Sequence, residues 1–72
     1  MKTVYLHDIE NLTEQAILKL LKTKGPCLYG DIFKQLSISS NEGQQCIFKL
    51  LSNRLIRFQH RTSIIELNIE LK

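Results

Sequence analysis

An α+β domain is the fold class this sequence predicts: three helices followed by a C-terminal two-stranded β-hairpin. Three observations predict it. Apolar residues recur at helical spacing in three segments, the first and third opened by residues that cap helices. A tight polar turn joins the second segment to the third. Strict apolar–polar alternation then takes over near the C-terminus, with Ile65, Leu67, Ile69 and Leu71 against Glu66, Asn68 and Glu70.

The elements follow in order. Residues 1–11 read as an N-terminal arm. Val4, Tyr5 and Leu6 form a short β-prone run, an edge strand or an arm for dimer contacts. Residues 12–72 read as the folded domain. Asn11 with Glu14 has the spacing of a capping box, and Thr13 is a competing cap. Ile17, Leu20 and Leu21 share a helical face. Lys19, Lys22 and Lys24 crowd the end, where cations suit the helix dipole. Gly25 and Pro26 stop this helix.

The second helix is expected over residues 29–36, with Ile32, Phe33 and Leu36 as its buried stripe. Ser37, Ile38 and Ser39 make the turn, and Ile38 plugs the gap between two helices. Ser39 with Glu42 repeats the capping-box spacing, with Ser40 as the alternative cap. The third helix is expected over residues 41–52. Gly43, Cys46, Ile47, Leu50 and Leu51 lie on one face, and Asn41, Gln44, Gln45, Lys49 and Ser52 on the other. Phe48 falls at the border of the polar face. Asn53 is the candidate for a left-handed stop. Ile56 and Phe58 alternate with Arg57 and Gln59 as a strand. His60, Arg61, Thr62 and Ser63 are the connecting loop.

Seventy-two residues make one domain at most, and a core of that size is marginal alone. A composition of 43% hydrophobic and 24% charged residues fits a folded domain. Net charge is +3, but it is segregated: residues 1–18 carry a local −2, residues 19–61 a local +6, and residues 62–72 a local −1. A basic segment is the first electrostatic requirement for a polyanionic partner. Cys27 and Cys46 stand 19 positions apart, and the histidines are His7 and His60 alone. That set lacks the spacing of a metal site, so no metal or cofactor is expected and both thiols read as buried apolar groups. Neither a glycine-rich phosphate loop nor a nucleophile–base set stands out, which argues against an enzyme.

The order helix, helix, turn, helix, hairpin resembles the winged-helix (winged helix-turn-helix) DNA-binding superfamily over residues 12–71. The segment from Asp31 to Ser39 looks like the family's second helix and turn. The segment from Ile47 to Ile56 looks like its third helix running into the wing. The family often has glycine before the final Leu-Ile pair, where this chain has Arg54.

The resemblance implies a small transcriptional regulator that binds double-stranded DNA as a homodimer. Its third helix would enter the major groove through Ser40, Asn41, Gln44, Gln45 and Lys49. Tyr29, Lys34, Ser39, Arg57, His60, Arg61 and Thr62 would meet the backbone from the turn, second helix and wing. A cytoplasmic location follows, nucleoid-associated if DNA is bound. No membrane partner is expected, since no apolar run approaches the ~18 residues a bilayer needs. The alternative is a protein-interaction winged helix that uses Phe48 or the N-terminal arm.

Overall fold

The computed structural model describes residues 2–72. Strand β1 (Thr3–Val4) leads through a 3-10 turn (Leu6–Asp8) to α1 (Leu12–Lys24), β2 (Cys27–Leu28), α2 (Tyr29–Leu36), α3 (Ser40–Ser52), β3 (Ile56–Phe58), β4 (Ile64–Leu67) and β5 (Glu70–Leu71). This is the α+β class expected, with the helices in the expected places.

Helix α1 begins where the cap chemistry puts it. The Asn11 side chain accepts from the Glu14 N–H at 3.0 Å, satisfying one orphan donor of the first turn. Thr13 does not cap; its hydroxyl donates to Glu42 Oε1 on α3 at 2.8 Å. Ile17, Leu18 and Leu21 are buried at the centre of the core. Gly25 ends the helix with φ of +82°, a backbone shape glycine adopts without a Cβ penalty.

Helices α2 and α3 close with the same hydrogen-bond pattern. In α2 the Ser37 N–H donates to Lys34 O and the Ile38 N–H to Phe33 O, with Ser37 left-handed at φ 55°. In α3 the Arg54 N–H donates to Leu51 O and the Leu55 N–H to Leu50 O. Both are Schellman stops, which normally pair an apolar residue after the cap with one in the last turn. Ile38 fills that role for α2, and so plugs the turn.

The left-handed residue after α3 is Arg54, at φ 60°, while Asn53 keeps negative φ at −87°. The stop therefore falls one residue later than Asn53, at the position where the family often has glycine.

The sheet departs from a two-stranded hairpin. The hairpin β3–β4 forms as expected, with Ile56, Arg57 and Phe58 opposite Leu67, Glu66 and Ile65. Strand β2 adds to its other side, antiparallel, with Cys27 opposite Ile65. The sheet thus has three strands in the order β2-β4-β3. The alternating C-terminal run is also not one strand. It breaks at Asn68, whose N–H donates to Leu55 O and whose side-chain amide donates to Arg54 O. Beyond the break β5 pairs in parallel with β1, and the Leu6 N–H donates to Lys72 O. The arm strand lies on Thr3 and Val4, and the two ends of the chain are stitched together.

The core is one cluster built by α1, α2, α3 and the sheet, with Ile17, Leu18, Ile32, Ile47, Leu50 and Ile65 fully buried. Each such side chain contributes ~1.5–3 kcal/mol of hydrophobic stabilisation. The close approach of α2 to α3 rests on Gly43. A Cβ there would lie 2.5 Å from Phe33 Cδ1 and closer still to Cε1. Cys27 and Cys46 are both free and buried, as the composition implied. No helix among the described residues is long and apolar enough to cross a membrane.

Candidate nucleic-acid interface

Helix α3 presents one face to the core and one to solvent. Ser39 caps it: its Oγ accepts from the Glu42 N–H at 3.2 Å, which leaves the hydroxyl hydrogen free to donate outward. Ser40 is the first helical residue and is exposed. Gly43, Cys46, Ile47 and Leu50 are buried. Asn41, Gln44, Gln45, Phe48, Lys49 and Ser52 are exposed. Among the described residues the side chains of Asn41, Gln44 and Gln45 take part in no hydrogen bond within the chain. Each therefore offers both a donor and an acceptor to whatever approaches.

Phe48 is not at the border of this face but near its middle. Spacings of three and four residues put side chains on one helical row. Phe48 stands four from Gln44, three from Gln45 and four from Ser52. Its exposure of 61% agrees. The sequence reading places it at the border of the polar face, either against the hairpin or exposed for a partner; the exposed alternative holds. The spacing alone would have placed it correctly.

The charged residues of α3 gather on one flank, beside α1. Lys49 Nζ lies 3.6 Å from Glu14 Oε2. Glu42 is held by the Thr13 hydroxyl. Glu14 is the one buried charged residue among those described, at 5% exposure. The Cys46 thiol is pushed up from its ordinary pKa by burial first, then by the carboxylates of Glu14 and Glu42, with Lys49 opposing. It is therefore a protonated, unreactive group. The outward centre of α3 is left polar and aromatic, without a charge of either sign.

The wing gathers a second group. Arg57 Nε donates to Glu66 Oε2 at 2.6 Å across the β3–β4 pair, and Gln59 Nε2 donates to Glu66 Oε1 at 2.9 Å. The Gln59 hydrogen bond, then that of Arg57, hold the Glu66 carboxyl below its ordinary range. Thr62 builds the turn itself, donating from Oγ1 to Gln59 O at 3.0 Å and accepting from the Ile64 N–H at 3.1 Å. His60 and Arg61 are exposed at the tip, and Arg61 sits left-handed at φ 58°. Arg57 is thus committed to an intramolecular partner, while Arg61 has no ion pair among the described residues.

Tyr29 and Lys34 separate. The Tyr29 ring stands edge-on to Phe33, centroids 4.9 Å apart, and 6.2 Å from Phe58 on β3. Its N–H donates to Ser63 O. Tyr29 therefore fastens α2 to the base of the wing. Lys34 is exposed on α2 and, with Lys19, Lys22, Lys24 and Arg54, has no carboxylate partner among the described residues.

No protein-family model and no curated protein sequence matches the chain. In structure it is similar to the Zbeta domain of human DAI, whose solution structure is described with its binding modes to B- and Z-DNA. The TM-score is 0.73 at 16% sequence identity, over 83% of this chain and 88% of that one. The likeness is one of fold, and the fold is the winged helix expected from residues 12–71.

Proposed function

We propose that this winged-helix domain binds double-stranded DNA, with the outward face of α3 against the bases and the wing tip against the backbone. One observation carries the reading. Asn41, Gln44 and Gln45 stand side by side on an exposed helix face, uncommitted to the rest of the chain. Asparagine and glutamine amides can pair bidentately with adenine, and Phe48 beside them can pack on a thymine methyl. Arg61 and the Ser39 hydroxyl supply phosphate contacts. The fold neighbour described with B- and Z-DNA supports the same partner class. The nearby carboxylates do not oppose it from the centre of the face, because Glu42 of α3 accepts from the Thr13 hydroxyl and Glu14 of α1 is buried.

Few cations reach outward from α3, so one copy holds few phosphates and binds weakly at physiological salt. A regulator of transcription built from this domain therefore acts as a homodimer on half-sites about one turn, ~34 Å, apart.

Fluorescence anisotropy with a labelled duplex tests the reading. Affinity falls steeply with salt. Arg61→Ala weakens binding to all sequences alike, and Gln44→Ala or Gln45→Ala changes preference by ~1–3 kcal/mol at one base pair. Both a mixed-sequence B-form duplex and an alternating CG duplex in the Z form belong in the series. Binding confined to the Z form would replace groove reading by recognition of backbone shape. Unchanged affinity after Asn41, Gln44, Gln45 and Arg61 all become alanine would reject the assigned face.

A protein partner is the second reading, favoured by the exposed Phe48 ring. It predicts that Phe48→Ala abolishes a protein complex while the fold and any duplex affinity stay as they were.

A further inference from the structure

We propose that Glu14 is a positioning residue that limits DNA affinity by keeping Lys49, the single base of α3, off the phosphates. The inference rests on the DNA-binding reading and adds a determinant of its strength.

The pair is asymmetric. Glu14 is in the first turn of α1 and 5% exposed, whereas the Lys49 side chain is 65% exposed, with Nζ 3.6 Å from the carboxylate. If Lys49 swung to a phosphate, Glu14 would be left buried and unpaired. Removing one partner of such a pair is the costly event, because the remaining charge keeps little of its water and has lost its counter-charge. One phosphate contact returns little by comparison, and that little is eroded by salt. Lys49 therefore stays on α1.

The same flank holds Glu42, engaged by the Thr13 hydroxyl at 2.8 Å. The flank shared by α1 and α3 thus carries Glu14 against Lys49, with Glu42 further along α3: two carboxylates and one ammonium. The flank presents no net positive charge to a polyanion. A helix whose sequence offers a lysine for phosphate offers none in practice. Affinity then depends on the wing tip and on the lysines of α1 and α2.

The test is anisotropy with a mixed-sequence 20-base-pair duplex over a salt series, using wild type, Glu14→Gln, Lys49→Met and the double variant. Lys49→Met is expected to leave the slope of log affinity against log salt unchanged. Glu14→Gln is expected to tighten binding and steepen that slope by about 0.9, the value of one added phosphate contact. Between 50 and 200 mM salt it then loses about 3.5-fold more affinity than wild type. The double variant returns to the wild-type slope, a result that a structural effect of Glu14 would not produce.

A slope that drops by about 0.9 on Lys49→Met alone overturns the inference, and so does an unchanged slope in a folded Glu14→Gln. If Glu14→Gln fails to fold by circular dichroism, Lys49→Met decides by itself, with its own fold checked by the same spectrum. Absence of wild-type binding at the lowest salt would instead reject the DNA reading, and this inference with it.

Discussion

Replacing Gly43 by alanine tests how α3 is held against α2, and through that how its outward face is aimed. In an exposed helix the change stabilises by ~1 kcal/mol, because alanine is the better helix former. Here a methyl group would meet the Phe33 ring, 2.5 Å from Cδ1 and 3.0 Å from Cζ. Ordinary carbon contacts lie near 3.5–4.0 Å, so the ring must retreat by about 1 Å. It cannot do so freely, because Tyr29 packs edge-on against it at 4.9 Å. Overpacking of this kind costs ~1–3 kcal/mol. Set against the propensity gain, the net expectation is a loss of about 1 kcal/mol, with a range of ~0–2. Urea unfolding followed by circular dichroism measures it, and a loss of that size lowers Tm by roughly 4–8 °C in a domain this small. In a Phe33→Leu background the clash is relieved, so the same Gly43→Ala change is expected to become stabilising. Stabilisation by ~1 kcal/mol in the wild-type background would refute the close packing of Phe33 on α3.

Asn11→Ala removes the cap of α1 and is expected to cost ~1 kcal/mol by thermal or urea unfolding, with an unchanged structure by circular dichroism. Arg54→Gly relieves a left-handed residue worth ~1–2 kcal/mol while loosening the unfolded chain by somewhat less, so stability rises by up to ~1 kcal/mol. A valine there lowers it, and equal stability of the two variants would contradict the left-handed stop. Glu66 has its folded-state pKa depressed, so its contribution is present above the ordinary glutamate pKa of about 4.3 and is lost as pH falls through the lower folded value. Unfolding between pH 6 and pH 3 should therefore show weaker acid sensitivity in Glu66→Gln than in wild type.

The parts of this fold legible in the sequence are those decided locally. Asn11 and Ser39 announce their helices because a cap needs only a side-chain oxygen three residues before an orphan N–H. Gly25 marks a positive φ for the same kind of reason. The wing turn could be placed because polar residues interrupt two alternating runs.

The parts that escaped are decided by distant residues. Strand β2 is two residues long, too short to alternate, and exists because β4 offers an open edge. The break at Asn68 is invisible because the apolar alternation continues through it; only the partner changes, from β3 to β1. Arg54 takes the left-handed stop in place of Asn53, though asparagine tolerates that conformation better. The ends of α3 and β3 fix where the chain must turn.

At the candidate interface the outward set Asn41, Gln44 and Gln45 followed from helical spacing. The pairing of Lys49 with Glu14 did not, since 35 positions separate them. Arg57 likewise read as a phosphate ligand until its cross-strand partner Glu66 was in place.

DNA binding through the outward face of α3 is tested most directly by titrating the labelled protein with duplex DNA, followed residue by residue in 1H–15N NMR spectra. Shifts are expected to concentrate at Asn41, Gln44, Gln45 and Phe48 on α3 and at His60 and Arg61 on the wing tip, and to be reversed by added salt. Shifts confined to Lys19, Lys22 and Lys24 on α1, or no shifts at any salt concentration, would contradict it.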